Sequence, residues 1–206
     1  MTQKTWAFVL ISVMMLIMMT MTVMADNVAV ASVGAPVEVS TGETLKNAIN
    51  NASSSTEETV IKVSNDIKLD SKILIKNGKK IKLVADSMVK IVVDDECDSF
   101  QVENGTLTLG NNIIIEDVQM KEIGALLYAT GANAVINIDG AELKSDCKTY
   151  TLVCIEKNAV LNMNSGKIEG GINKVNSSAL FSVKEGGKVN VKGGKLISHN
   201  SVLIVK

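Results

Sequence analysis

One heptapeptide, Asn133-Ala134-Val135-Ile136-Asn137-Ile138-Asp139, returns 25 residues later as Asn158-Ala159-Val160-Leu161-Asn162-Met163-Asn164. A looser copy follows as Gly187-Lys188-Val189-Asn190-Val191-Lys192. Apolar and polar residues alternate within each copy. A fixed period with such alternation inside it is typical of stacked coils of β-strand. The repeat therefore predicts a solenoid rather than a closed globular core.

The repeat extends well beyond the heptapeptide. Residues 126–143 match 151–168 at an offset of 25, residues 152–169 match 180–197 at an offset of 28, and residues 179–183 match 201–205 at an offset of 22. Because whole three-strand units recur, each unit is interpreted as one rung of a solenoid. We expect an all-β, right-handed parallel β-helix of about six or seven rungs.

The alternation assigns each side chain to the inside or the outside. Three aligned apolar columns are predicted to face inward: Ile136, Leu161 and Val189; Ile138, Met163 and Val191; Leu143, Ile168 and Leu196. The alternate positions of the strands hold Asn137, Asn162 and Asn190. Lys188 and Lys192 share this side of the strand, and lysine is rarely buried, so this column is predicted to face outward. Rungs lie about 4.8 Å apart, which lets the amides hydrogen-bond along the stack. A sugar-binding strip is the alternative, and the structural ladder is favoured.

A short helix precedes the strands. Ser40-Thr41-Gly42-Glu43 is a capping-box pattern, and the apolar residues that follow it, Leu45, Ala48, Ile49 and Ala52, have helical spacing. We expect a helix at about 43–52 that covers the first rung, because an open solenoid end exposes apolar side chains. Residues 26–40 have no period and are expected to form an extended lead-in.

The first 25 residues have a different composition from the rest. Lys4 is followed by an uncharged, mostly apolar run from Ala7 to Val23, in which Ser12, Thr20 and Thr22 are the polar residues. Val23-Met24-Ala25 offers small or apolar residues at a cleavage position. Residues 1–25 are therefore predicted to be a signal peptide cleaved before Asp26. The competing interpretation is an uncleaved anchor, since about 19 apolar residues can span a bilayer.

Charge argues against one class of partner. Without Lys4, 20 lysines stand against 22 Asp and Glu, a formal charge of −2. Nucleic-acid binding needs a basic stripe, so nucleic acid is excluded as a partner. The remaining stretch of roughly 180 residues suits one domain, with the β-helix at 41–206.

Three cysteines are an odd set for an exported protein: Cys97, Cys147 and Cys154. Cys147 and Cys154 are close enough in sequence to form a bridge. Cys154, however, lies within the apolar stretch Thr151–Ile155 and is also explained as a small core residue. Structural thiols are the favoured interpretation, and the spacing gives no support for metal ligation.

Several phrases resemble those of a known group, the right-handed parallel β-helix proteins with a pectin-lyase-like fold, and in particular adhesin-like exported surface proteins. They are Gly42-Glu43-Thr44-Leu45-Lys46-Asn47-Ala48-Ile49, Val60-Ile61-Lys62-Val63, Phe100-Gln101-Val102-Glu103-Asn104-Gly105-Thr106-Leu107-Thr108-Leu109 and Val183-Lys184-Glu185-Gly186-Gly187-Lys188-Val189-Asn190-Val191. The resemblance covers about residues 38–206. It implies the fold, whereas the group contains lyases, hydrolases and non-catalytic adhesins, so it does not imply one activity.

The residues needed for catalysis are sparse. The resemblance implies an Arg base in the lyases and a Gly-His-Gly beside several Asp in the hydrolases. This chain contains no Arg, and its one His, His199, has no Gly neighbours. Three acidic groupings remain: Asp66 with Asp70, Asp94-Asp95-Glu96-Cys97-Asp98, and Glu116-Asp117. Only the run at 94–98 is dense enough for calcium, and a solvated turn is the favoured interpretation of it.

Aromatic residues offer no platform for a sugar. Phe100 and Phe181 fall at matching repeat positions and are predicted to be core residues. Tyr150, in the turn Lys148-Thr149-Tyr150, is the one tyrosine expected to be exposed. We therefore expect no catalytic, metal or cofactor site.

Two functions follow. The favoured one is a non-catalytic secreted or cell-surface scaffold, adhesin-like, that contacts an extracellular glycan or protein. The alternative is a polysaccharide lyase or glycoside hydrolase of this fold, or a fragment of one. The membrane is contacted only through the leader, if it stays uncleaved. Since Ser201–Val205 aligns with the first strand of a rung and Lys206 follows with no cap, we expect either a fragment of a longer protein or end-to-end self-association.

Overall fold

The fold was obtained as a computed structural model, which describes residues 35–54, 56–93, 100–117, 125–145, 151–170, 179–198 and 201–205. These residues form a parallel β-solenoid of about five turns with a short helix near its N-terminal end. The predicted fold class is therefore confirmed. The stack is slightly shorter than the six or seven rungs expected. The predicted signal peptide lies outside the described residues.

The strands form three faces, and every pair of neighbouring strands is parallel. The first face consists of β1 (Val37–Val39), β2 (Thr59–Val63), β5 (Lys79–Val84), β8 (Gly105–Leu109), the first halves of β11 (Ala134–Ser145) and β13 (Val160–Gly170), and β15 (Lys188–Val191). The second face consists of β3 (Ile67–Leu69), β6 (Val89–Val93), β9 (Ile113–Asp117), the second halves of β11 and β13, and β16 (Lys195–Ser198). The third face consists of β4 (Ile73–Ile75), β7 (Phe100–Val102), β10 (Leu127–Thr130), β12 (Val153–Glu156), β14 (Ala179–Val183) and β17 (Ser201–Val205).

Two long strands bend from the first face to the second at a glycine. Gly140 in β11 has φ 113° and Gly166 in β13 has φ 102°, angles that L-residues with a side chain rarely adopt. A Cβ at Gly166 would also collide with the backbone oxygen of Ala141 on the neighbouring coil. Glycine at this bend thus permits both the corner and the close stacking of coils.

The inward columns form one continuous apolar core. Ile136 pairs with Leu161, and Leu161 pairs with Val189. Ile136 and Leu161 are fully buried, as the alternation predicted. Phe100 and Phe181 lie in the inward column of the third face and are also buried, which confirms their predicted core position.

The predicted offsets are correct on the first face and one residue short on the third. Val135 pairs with Val160, an offset of 25, whereas Leu127 pairs with Val153, an offset of 26. The difference arises because four residues separate the paired positions Thr130 and Val135, whereas three separate their partners Glu156 and Val160. The offsets of 28 and 22 for the later coils match the observed pairing.

Helix α1 (Gly42–Asn51) covers the core at the N-terminal end. Its Leu45 and Ile49 are buried, so the predicted apolar face is confirmed. The predicted capping box is one residue out of place, since Thr41 is the N-cap and bonds reciprocally with Thr44. In this box the hydroxyl of Thr41 accepts from the backbone of Thr44, and the hydroxyl of Thr44 accepts from the backbone of Thr41. Glu43 lies in the first turn of the helix and is not part of the box.

The end of the lead-in is ordered as a strand. Val37 to Val39 pair in parallel with β2, and Ser64 N donates to Val39 O at 2.9 Å. Val39 is 3% exposed. The last residues of the lead-in are therefore extended and pair as a short strand along the edge of β2.

The last described coil is open. Val191 is 48% exposed and Leu203 is 50% exposed, while the residues paired with them one coil earlier, Met163 and Phe181, are buried. The inward side of this coil is therefore not covered by any described residue.

Candidate functional surface

The predicted asparagine column forms a hydrogen-bonded ladder on the outside of the first face. Asn162 Nδ2 donates to Asn137 Oδ1 at 3.0 Å, and Asn190 Nδ2 donates to Asn162 Oδ1 at 3.0 Å. The three residues stand in register on β11, β13 and β15. The ladder interpretation is thus confirmed, and each amide is held by its neighbours.

Two further residues, which the sequence did not reveal, extend the ladder. Asn137 Nδ2 donates to Thr108 Oγ1 at 3.3 Å, and Thr108 Oγ1 donates to Glu58 Oε1 at 2.9 Å. Thr108 occupies the position in β8 that pairs with Asn137, and the alternation along β8 is the one feature of the sequence that points to it. Glu58 is separated from it by 50 residues, so no local pattern could have linked the two. We call Glu58, Thr108, Asn137, Asn162 and Asn190 the polar ladder.

The polar ladder leaves some amide donors and acceptors unused. An Asn amide has two donors and two acceptor lone pairs, and the ladder uses one donor and one lone pair of Asn162. Asn162 is half-buried and Asn190 is exposed. A second pair, Asn164 Nδ2 to Asp139 Oδ1 at 2.6 Å, lies beside it. The first face therefore carries an ordered row of amide groups, some of whose donors and acceptors are not used within the ladder.

The second face carries alternating charges. Lys90 Nζ lies 3.1 Å from Glu116 Oε1, and Lys167 Nζ lies 2.6 Å from Glu169 Oε2. The hydrogen bond that Lys167 donates to Glu169 raises the pKa of Lys167. Because these pairs lie at the surface and are partly exposed to solvent, they contribute little to stability. They give this face a balanced charge with no basic stripe.

On the third face, a tyrosine, a cysteine and a glutamate lie together on the outside. Burial, followed by the hydrogen bond with Glu156, raises the pKa of Tyr128. Cys154 Sγ lies 3.7 Å from Glu156 Oε1, and Cys154 is paired in register with Tyr128. Burial and the Glu156 carboxylate therefore favour the neutral, protonated phenol of Tyr128.

The third face also corrects the interpretation of Cys154. The Cys154 side chain is half-buried on the outer side, whereas the adjacent Val153 and Ile155 point into the core. The core assignment was wrong because the apolar run conceals an alternation in which only every second residue points inward. Cys97 and Cys147 lie outside the described residues.

The acidic groupings do not converge. Asp66 Oδ1 accepts from Lys90 N at 2.8 Å, and Asp70 Oδ1 accepts from Ser71 Oγ at 3.2 Å. Glu116 faces outward to Lys90, as described above. Its neighbour Asp117 is buried and accepts from Ser145 Oγ at 2.6 Å. The strand pleat thus sends the last two carboxylates to opposite sides of the sheet.

Other predicted features cannot be placed. The run at 94–98, Tyr150 and His199 lie outside the described residues. Within the described ranges, no three His, Cys, Asp or Glu side chains are grouped as metal ligands would be. Across the same ranges, no helix has the length and hydrophobicity to cross a membrane.

Comparison of the chain with protein-family models, with curated proteins and with solved structures finds no significant match. The three faces and their side chains are therefore the basis for any statement about function.

Proposed function

We propose that this chain is a non-catalytic, exported scaffold of the adhesin-like kind, which contacts an extracellular glycan or protein through its first face. One observation carries the proposal: the polar ladder, whose groups are fixed by one another across four successive strands and by Glu58. Ordered groups lose little conformational entropy on binding. A flat, rigid strip of amides suits recognition of an extended partner.

The location is proposed from the sequence. Residues 1–25 have the charged start, apolar run and small-residue site of a secretory leader, which favours a secreted or cell-surface protein. Membrane contact is proposed only through this leader, if it remains attached. The formal charge of −1 gives no support for a nucleic-acid partner.

Binding can be tested on arrays of extracellular glycans and matrix proteins. We expect the wild-type chain to bind a subset, and Asn162→Ala to lose that binding because it interrupts the ladder at its centre. Asn65→Ala is the matched control, since Asn65 is exposed at a bend outside the first face. Thermal unfolding of both variants separates a local effect from a loss of folding. Binding that is equally reduced by Asn65→Ala, or unaffected by Asn162→Ala, would contradict the proposal.

The non-catalytic part has its own test. Incubation with polygalacturonate and calcium, followed by absorbance of an unsaturated product, should show no turnover. Measurable turnover would favour the lyase alternative instead.

Location is tested by fractionation of cells that express the full chain. We expect the protein in the medium or on the surface, with an N-terminus at Asp26. Retention of the intact chain in the cytoplasm would contradict export.

A further inference from the structure

We propose that Asn104 and Asn51 are acceptors for N-linked glycans, an inference that rests on the proposed export. Each residue begins an Asn-X-Ser/Thr triplet without proline: Asn104-Gly105-Thr106 and Asn51-Ala52-Ser53. This triplet is the acceptor motif for N-glycosylation in secreted proteins. The fold presents both acceptor side chains to solvent.

Asn104 has an anchored backbone and a free side chain. It lies in the turn between β7 and β8, where its backbone oxygen accepts from Gly78 N at 2.7 Å. The side chain is exposed, and its amide has no hydrogen-bond partner among the described residues. A glycan attached there would project into solvent without displacing a contact.

The other two residues of the triplet fit the same geometry. Gly105 is buried, and a Cβ at that position would lie 2.6 Å from Lys79 O. Thr106 follows on the outer side of β8 and is half-buried. Because successive residues of a strand point to opposite sides, Asn104 and Thr106 share the outside while Gly105 packs against the preceding coil.

Asn51 is presented in a comparable way at the end of α1. Asn51 and Ser53 are both exposed. The last turn of the helix is fixed by Lys79, whose Nζ donates to Ile49 O at 3.0 Å and to Asn50 O at 2.6 Å. The acceptor side chain thus extends from a backbone that is held in place.

The two acceptors border one corner of the solenoid. Lys79 bonds the carbonyl of Asn50, which precedes Asn51, and it pairs in register with Gly105, which follows Asn104. Asn190, at the far end of the polar ladder, lies three strand spacings beyond β8, about 14 Å away. Glycans at this corner would cover the N-terminal end and leave the later ladder residues accessible.

The modification is a group transfer from a lipid-linked oligosaccharide diphosphate, with the transferase of the secretory compartment as catalyst. The side-chain amide nitrogen of the Asn forms a bond to the anomeric carbon of the first sugar. The bond from that carbon to the phosphate oxygen breaks, and the lipid diphosphate leaves with the electron pair. The amide loses one proton to a base of the transferase.

The test is translation of the full chain in the presence of secretory microsomes that contain this transferase. One arm uses the chain with its own N-terminal segment, and a second arm places a host leader ahead of Met1. Protease protection reports import. Glycosidase treatment in heavy-oxygen water, followed by peptide mass spectrometry, reports each modified Asn separately, including Asn176 of the third triplet, which lies outside the described residues.

We expect glycosylation at Asn104 and Asn51 in imported chains. Thr106→Ser should retain the glycan at Asn104 and Thr106→Val should abolish it, although both preserve the size of the side chain closely. Asn51→Gln should remove only the glycan at Asn51. Protected chains that carry no glycan at either residue, or a glycan at Asn104 that persists in Thr106→Val, would overturn the proposal. Import only with the host leader, with both residues modified, would contradict the proposed export and support the acceptors.

Discussion

Leu161 and Asn162 are neighbours in β13 that face opposite environments, one the core and the other the polar ladder. Leu161→Ala should lower the free energy of unfolding by about 2 to 5 kcal/mol, through lost contacts and the cavity that remains. Asn162→Ala should cost less, about 1 kcal/mol for each lost ladder bond. Urea unfolding of the two variants measures both. A larger loss for Asn162→Ala would show that the strand is shifted by one residue.

Tyr128 predicts a dependence of stability on alkaline pH. Its pKa is raised in the folded chain, mainly by burial and then by Glu156, so the folded state favours the neutral phenol. Its stabilising contribution is complete below about pH 10, the ordinary pKa of tyrosine, and is lost as the pH rises toward the folded-state pKa. Above pH 10 the wild type should therefore lose stability more steeply than Tyr128→Phe.

Tyr150→Phe is the control for that experiment, since the chain contains two tyrosines. Urea unfolding at several pH values and the absorbance of tyrosinate give independent readings. Parallel pH profiles for the wild type and Tyr128→Phe would show that the environment of Tyr128 does not hold its proton.

At the scale of residues, alternation predicted which side of a strand each side chain occupies, and it did so correctly for Leu161 and Asn162. It failed for Cys154, because Leu152, Val153 and Ile155 around it are all apolar and no polar residue directly beside it marks the outer side of this strand. The sequence could not predict the contact between Glu58 and Thr108, because the two residues are 50 apart in sequence and, in the sheet, β5 lies between β8 and β2, the strand that Glu58 precedes.

At the scale of elements, a single charge placed in the buried face of α1 should strongly lower the stability of the fold. Leu45 is fully buried against the first coil, so Leu45→Asp places a carboxylate in an apolar site and should cost several kcal/mol. Asn47→Asp introduces the same side chain on the exposed side of the helix and should have little effect. Equal thermal unfolding of Leu45→Asp and the wild type would show that the helix does not cap the core.

Two glycines with positive φ should lose different amounts of stability when they are replaced by alanine. Gly78 has φ 73° with open space around its Cβ position, whereas Gly166 has φ 102° and faces the backbone oxygen of Ala141. Gly78→Ala should cost about 1 to 2 kcal/mol from backbone strain alone. Gly166→Ala should cost clearly more, because the collision with Ala141 adds to the strain. Chemical denaturation would show the opposite order if the coils can separate at this corner.

Most of the helix and strand positions could be predicted from the sequence, because turn residues separate the strands and the spacing of apolar residues marks each strand. The bounds were less accurate where two signals compete. Ser40-x-x-Glu43 and Thr41-x-x-Thr44 are both capping patterns, and only the direction from which the chain enters the helix selects the second. Likewise, β1 forms because β2 has a free edge, a condition that no local pattern contains.

At the scale of the whole molecule, the last described coil predicts self-association. Its exposed Leu203 and Val205, at 50% and 71% exposure, and its unpaired strand edges offer a surface for a second copy. Leu203→Lys should reduce the concentration-dependent sedimentation of the chain. Met88→Lys is the control, because Met88 is 64% exposed and lies away from this coil. A wild type that stays monomeric at all concentrations would contradict the prediction.

The polar ladder also has an electrical consequence. Every described amide in it points its nitrogen toward the earlier coil and its oxygen toward the later one, so the side-chain dipoles add along the axis of the solenoid. The positive pole meets the carboxylate of Glu58 through Thr108, and the negative pole is at Asn190, which has Lys188 and Lys192 two residues away on either side in the sequence. This is the charge arrangement that stabilises the two ends of an α-helix, built here from side chains across separate coils instead of from one backbone.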